Sequence, residues 1–273
     1  MTMQKVSELA DSRELFVNLT LRELRGKYKR SVLGWTWSLL NPLATMLIFS
    51  LVFSVFLRVE PEVGDPSGLH SFAFFLMCGL LPFNYLGNSL TGAMGSLVAN
   101  AGLVKKVYFR REVLVGAVTA SWLVSFLIEL SVLAVALLFV GNVVLPWIPA
   151  ILVLIALQTA FVLGLALMLS VWTVYFRDLE HFLGIALQAW FYTAPIIVPL
   201  TLVRNEIGDI GWAWTLYNLN PLTRFVEAYH DLLYSLRLPP AGEIAYLVVV
   251  SLATLAIGYA VFQRFESRLA EEL

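Results

Sequence analysis

Long apolar runs separated by short polar stretches organise this sequence. Six runs stand out: 35–57, about 71–97, 113–140, about 150–174, about 182–202 and about 244–262. Each is near the roughly 20 apolar residues needed to cross a hydrocarbon core as a helix. Pro82 and Asn84 interrupt the second run, and Pro195 and Pro199 fall near the end of the fifth. The runs are continuous rather than alternating in polarity, which argues for helices and against a porin-like barrel. The pattern predicts an all-α integral membrane protein with six transmembrane helices. Residues 1–34 form an N-terminal segment, 35–262 the membrane domain and 263–273 a tail.

Composition agrees with that reading. The 273 residues are 59% hydrophobic and 14% charged, against about 45–50% and 25% in soluble domains. Net charge is −1, so no global basic field invites nucleic acid. Cys78 is the single cysteine, which excludes an internal disulfide, and its apolar setting points to a buried, inert thiol. The polar start and the length of the first run do not fit a signal peptide.

Lysine and arginine set the expected orientation. Fourteen fall in 1–34, 100–112, 175–181 and the tail, against four, Arg58, Arg204, Arg224 and Arg237, on the other side. The positive-inside rule then places both termini in the cytoplasm, and an even number of spans agrees.

The segments between runs carry their own patterns. Over 11–30, Val17, Leu21, Leu24 and Tyr28 make an apolar stripe beside Arg22, Arg25 and Lys29, with Lys27 and Arg30 adding charge. A basic amphipathic helix next to a span lies in the headgroup layer, either as a plain anchor or as a surface that meets an anionic headgroup or a cytoplasmic partner. Residues 100–112 mix Leu103, Val104, Val107, Tyr108 and Phe109 with Lys105, Lys106, Arg110, Arg111 and Glu112. That mixture reads as a short helix docking on another protein, or as a loop dipping into the membrane. In 203–243, Trp212, Trp214 and Tyr217 suit a membrane–water interface. Asn220-Pro221 is a strong helix start. Leu222, Phe225, Val226, Tyr229, Leu232, Leu233 and Leu236 follow at helical spacing, with Arg224, Glu227, His230 and Asp231 on the other face. The resulting helix over 221–236 is too short to span, so it is expected in the outer leaflet, with an Arg224–Glu227 pair one turn apart.

Catalytic chemistry is hard to find. The chain has no GxxxxGK[ST] phosphate loop, no HExxH and no GxSxG. His70, His181 and His230 fall in different loops, so neither a catalytic set nor a metal site is expected. Glu129 is the one ionisable acid or base inside the six runs, and it reads as a functional charge or as a protonated packing residue. Its isolation, and the lack of visible repeats, weaken a proton-coupled carrier. Aromatic residues are abundant: Trp35, Trp37, Phe49 and Phe53 in the first run, Phe83 and Tyr85 in the second, Trp190 and Tyr192 in the fifth. Most suit lipid-facing or packing positions, while a subset could line a sugar pathway by stacking on pyranose rings.

Three stretches carry a resemblance. One is Leu21-Arg-Glu-Leu-Arg-Gly-Lys-Tyr-Lys-Arg-Ser-Val-Leu-Gly-Trp-Thr-Trp-Ser-Leu-Leu-Asn-Pro-Leu43. The second is Cys78-Gly-Leu-Leu-Pro-Phe-Asn-Tyr85, continuing through Asn100 to Glu112. The third runs from Tyr175-Phe-Arg-Asp-Leu179 through Tyr192-Thr-Ala-Pro-Ile196 to Asn220-Pro-Leu-Thr223. In this order the set resembles the membrane subunit of ATP-binding-cassette polysaccharide exporters, the permeases of O-antigen, teichoic acid and galactan. Arg110 departs from the pattern, which has proline before the Arg-Glu pair.

The resemblance implies a homodimer in the bacterial plasma (inner) membrane, with two copies of a separate cytoplasmic ATPase that binds ATP and Mg; this chain itself binds no cofactor. It implies a coupling helix at 100–112, an interface helix at 11–30 and re-entrant outer gate helices between the fifth and sixth spans, which would include Arg224, Glu227, His230 and Asp231. The cargo it implies is a glycan on an undecaprenyl-diphosphate-type lipid. Arg22, Arg25, Lys27, Lys29 and Arg30 would then meet the lipid diphosphate through charge-assisted bonds, and the aromatics above would form the glycan path. A permease for a smaller lipid or drug is the nearest alternative. An integral-membrane enzyme acting on lipid-linked sugars is weakened by the lack of clustered carboxylates or histidines.

Overall fold

The computed structural model describes residues 2–27, 33–56, 63–106, 109–266 and 269. Helices dominate, and no strand occurs among the described residues. The order is α1 (Thr2–Lys27), α2 (Trp37–Ser50, continued by a π turn over Leu51–Phe56), α3 (Phe72–Ala99), α4 (Ala101–Lys106), α5 (Glu112–Phe139), α6 (Ile148–Tyr175), α7 (Leu179–Thr193), α8 (Leu200–Ile207), α9 (Gly211–Asn218), α10 (Pro221–Tyr229, continued by a π turn over His230–Ser235) and α11 (Ala241–Glu266). Four are long and apolar enough to cross a membrane: α3, α5, α6 with the turn before it, and α11. They coincide with the second, third, fourth and sixth apolar runs. The first run holds the shorter α2.

The fifth run is not one continuous helix. α7 stops at Thr193, and Ala194 turns to extended backbone, the conformation that a following proline imposes on its predecessor. After Pro199 the chain resumes as α8. The loop between them is held inside, with Ala194, Ile196 and Ile197 buried.

α3 is the centre of the bundle, touching α2, α5, α6, α7 and α10. Of its most apolar stretch 67% is buried, against 17% for α11. α3 therefore has protein around it, while α11 leaves most of its apolar surface for lipid.

α11 instead packs along α6 at a crossing of small residues. A Cβ on Gly258 would lie 2.1 Å from the Gly164 carbonyl oxygen, and one on Gly164 would lie 2.4 Å from that of Thr254. Only glycine lets the two backbones meet so closely.

The chain alternates between two ends. One collects α1, the loop after α3, the starts of α5 and α7 and the end of α11. Bonds from Arg22 to Asn100 and from Arg111 to Glu266 tie it together. The opposite end collects residues 63–71, 140–147 and 194–240. There Ser67 donates to the Tyr234 carbonyl at 2.6 Å, and Asn142 Nδ2 donates to that of Leu233 at 2.7 Å.

Candidate functional site

At the first end, 100–112 is a short helix and a turn. Val104 is buried, while Lys105 and Lys106 are exposed. Phe109 packs on the core. Arg110 occupies the position where proline was expected and forms an ion pair with Glu112 at 2.6 Å, its guanidinium also reaching the Tyr259 hydroxyl at 3.3 Å. Arg111 is bound to Glu266 through its backbone N–H and its side chain. The segment is thus fastened to α11 and offers its two lysines outward. Tyr108 lies outside the described residues.

α1 crosses this end against α5. Leu19 and Leu24 are buried, and Leu15 and Phe16 pack beside them. The anticipated stripe is split: Leu24 faces inward, Val17 and Leu21 stay exposed on the outer side, and Tyr28 lies outside the described residues. The basic set divides too. Arg22 and Arg25 are exposed, and Arg22 donates to Asn100 at 2.9 Å. Lys29 and Arg30, like the side chain of Trp35, lie outside the described part of the structure.

Lys27 turns away from the surface. Its Nζ stands 3.3 Å over the Trp122 ring centroid and donates to Ser125 Oγ at 3.2 Å. Glu129, one turn beyond Ser125 on α5, interacts electrostatically with it. Burial pulls the Lys27 ammonium down to about 7, with Glu129 and Glu23 resisting the fall. The lone acid of the apolar runs therefore has a cation facing it, contributed by α1. Glu129 also lines a cavity of about 170 Å³ between α2, α3 and α5, whose other walls, Leu39, Met46, Phe74 and Met77 among them, are apolar.

The aromatic candidates separate into two groups. Phe49 and Phe53 stack at 5.8 Å. Phe53 continues onto Phe72, and Phe49 meets Phe191, which also contacts Phe83 and Tyr192. This chain of rings joins α2, α3 and α7, and Tyr192 at its end is exposed. Phe72 and Phe191, aromatics of the second and fifth runs, belong to it as well. Trp37 is exposed on α2, away from these ring contacts. Tyr85 goes elsewhere: it is buried, stacks on Phe126 at 5.1 Å and hydrogen-bonds Thr159 at 3.2 Å. Trp190 donates to Asn220 Oδ1 at 2.7 Å.

That bond completes a cap. Asn220 Oδ1 also accepts from the Leu222 N–H at 3.1 Å, so the predicted helix start is present. The helix does not lie on the surface, however. Both of its faces are packed, and Leu222, Phe225, Val226, Tyr229, His230, Asp231 and Leu233 are all buried. His230 stacks on Phe75 at 4.1 Å and sits 3.0 Å from the Phe75 carbonyl oxygen. Gly79 makes room there, since a Cβ would meet His230 Nε2 at 3.3 Å and Ile196 Cα at 3.2 Å. Asp231 bonds Arg237 at 2.7 Å, and burial pushes its carboxyl up to about 6 against the pull of that arginine. The expected Arg224–Glu227 pair is not made. Arg224 binds Glu243 at 2.5 Å and the Asn218 carbonyl at 3.0 Å, and Glu227 lies 3.9 Å from His230. Sequence spacing proposed the nearest acid on the same helix, whereas packing of α10 on α11 supplied another.

A buried network was not anticipated at all. Gln158 of α6 donates to the Pro82 carbonyl at 2.8 Å and accepts from the Tyr229 hydroxyl at 2.7 Å. It links α6, α3 and α10 through one fully buried amide. A glutamine alone in an apolar run was the available signal.

Comparison with known proteins places this arrangement. The model of the ABC-2 type transporter family matches residues 14–234. The O-antigen export system permease protein RfbA of Myxococcus xanthus is 30% identical over 268 residues, covering 98% of both chains. A protein of the same name from Klebsiella pneumoniae is 28% identical and covers 95% of each. The polysialic acid transport protein KpsM of Escherichia coli is 25% identical, over 92% of this chain and 93% of its own. With a family match running from α1 into the π turn after α10, and relatives aligned from end to end, this chain belongs to the membrane-subunit family of ABC-2 type transporters.

Proposed function

We propose that this chain is the permease subunit of an exporter that carries a lipid-linked polysaccharide from the cytoplasmic to the outer face of a bacterial plasma membrane. The end-to-end match to O-antigen export permeases carries the reading. In it, α2 with its π turn, and α7 together with the buried loop that follows it, complete six spans with α3, α5, α6 and α11. Both termini lie in the cytoplasm. The gathering of Arg22, Lys105, Lys106, Arg110 and Arg111 at one end supports that side as cytoplasmic.

The working unit is a homodimer with two copies of a separate ATPase, which supplies ATP hydrolysis. Closure of the ATPases pushes on 100–112. The Arg111–Glu266 and Arg110–Tyr259 bonds pass that push to α11, and the Arg22–Asn100 bond passes it to α1. Arg22 and Arg25, exposed on α1, meet the diphosphate of the lipid carrier. The ring chain from Phe53 to Tyr192 offers the glycan weak, repeated contacts, as a conduction path requires. The packed segment 221–235 closes the outer end.

The hairpin is the part to test. Glu112→Ala, which frees Arg110, and charge reversal at Lys105 and Lys106 should each reduce export at least about tenfold while the chain still inserts. Surface glycan and co-purification with the ATPase are the measurements. Normal export in all these variants would reduce the hairpin to a connector.

A further inference from the structure

A recess at the second end, between α9, α10 and α11, has the donors, acceptors and rings of a sugar site. It is an open groove of about 410 Å³, lined by Trp214, Asn218, Arg224, Glu243 and Tyr246 among others. Its ion pair is largely withdrawn from solvent, with the Arg224 and Glu243 side chains 20% and 22% exposed. Such a pair costs desolvation and is weak evidence for a purely stabilising role.

The valences left over point to a ligand. Arg224 spends its Nε N–H on the Asn218 carbonyl and one Nη1 N–H on Glu243. Among the described residues its three remaining N–H groups are unused, as are the second carboxylate oxygen of Glu243 and the Asn218 Oδ1. The recess therefore presents donors and acceptors side by side. Hydroxyl groups, each of which gives and takes a hydrogen bond, match that mixture. A phosphate, which only accepts, does not, and Glu243 with Glu227 close enough to act on it electrostatically would repel it.

Ring surface completes the site. Trp214 borders the recess, with the Tyr217 ring beside it at 6.2 Å and the Arg204 guanidinium 5.9 Å from its centroid. Tyr246 is anchored through its hydroxyl to the Leu219 carbonyl at 2.5 Å. Small-molecule sites combine apolar ring surface with a few positioned polar groups.

We propose that this recess binds an uncharged sugar unit, holding its ring against Trp214 and Tyr246 and its neighbouring hydroxyls between Arg224 and Glu243. The site deepens the exporter reading by giving the emerging glycan a first contact at the second end of the bundle. Binding itself does not require that reading.

The test uses the full chain in phosphatidylcholine nanodiscs, free of sugar detergents, with saturation-transfer NMR against D-glucose, D-galactose, D-mannose, L-rhamnose and N-acetylglucosamine. At least one sugar should receive saturation. Trp214→Ala should weaken binding about tenfold, and Glu243→Gln severalfold. Trp212→Ala, on a residue that lines a different recess, should leave it unchanged. Silence for every sugar, equal signals in wild type and Trp214→Ala, or displacement by inorganic phosphate would overturn the proposal. Export by the same variants in cells is read separately. Unaltered glycan export with no sugar binding rejects this site and leaves the exporter reading standing. Sugar binding without any glycan export does the reverse.

Discussion

Gln158 shows how single polar residues hold the apolar bundle together. Its amide is fully buried and serves helices on two sides. Tyr229→Phe removes one partner and should cost about 1 kcal/mol, read as a lower thermal midpoint of the purified chain. Gln158→Leu placed on top of it should cost less than it does alone, because the two share one interaction. Lys27 makes a different kind of tie, with its Nζ over the Trp122 ring and Glu129 acting on it electrostatically. Lys27→Met should keep α1 docked, whereas Lys27→Glu sets two carboxylates against each other and should raise hydrogen exchange across residues 13–27. The pH dependence has a definite sign. An undocked lysine keeps its proton up to 10.5, and the docked one gives it up at about 7. Docking should therefore strengthen as pH rises between those values, and Lys27→Met should abolish the change once exchange is corrected for its chemical rate.

The contact of α6 with α11 depends on missing side chains. Gly258→Ala drives a Cβ into the Gly164 carbonyl, so the helices must part at a cost of about 1–3 kcal/mol. Gly242→Ala, with open space around it, is the control and should be near neutral. Folded yield and thermal midpoint measure both. This is also the scale at which the sequence was most and least legible. Runs of apolar residues marked α3, α5, α6 and α11 because length and composition are local properties. Asn220-Pro221 announced its helix start for the same reason. The break after Thr193 needed the recognition that Pro195 dictates the backbone of Ala194. Partnerships between elements were hidden: nothing in the spacing says that Arg224 meets Glu243 instead of Glu227, that Lys27 reaches Trp122, or that the polar face of 221–235 turns inward. Those facts arise from which helices pack together, and a uniformly apolar sequence says little about that.

Across the whole molecule, the bundle has a basic end tied by arginine bonds and an opposite end where 194–240 is folded into the helices. Toward that opposite end a chain of aromatic rings joins the end of α2, the first half of α3 and the end of α7. In the exporter proposed above, this polarity is that of a vectorial path for a glycan. The most direct measurement follows the glycan itself in cells from which this chain has been deleted. A lectin or antibody against the polysaccharide is applied to intact and to permeabilised cells. The account predicts lipid-linked glycan that is made but reached only after permeabilisation, with surface display restored by the wild-type chain. Glycan displayed normally at the surface of the deletion cells, or a failure to synthesise the lipid-linked glycan at all, would contradict it.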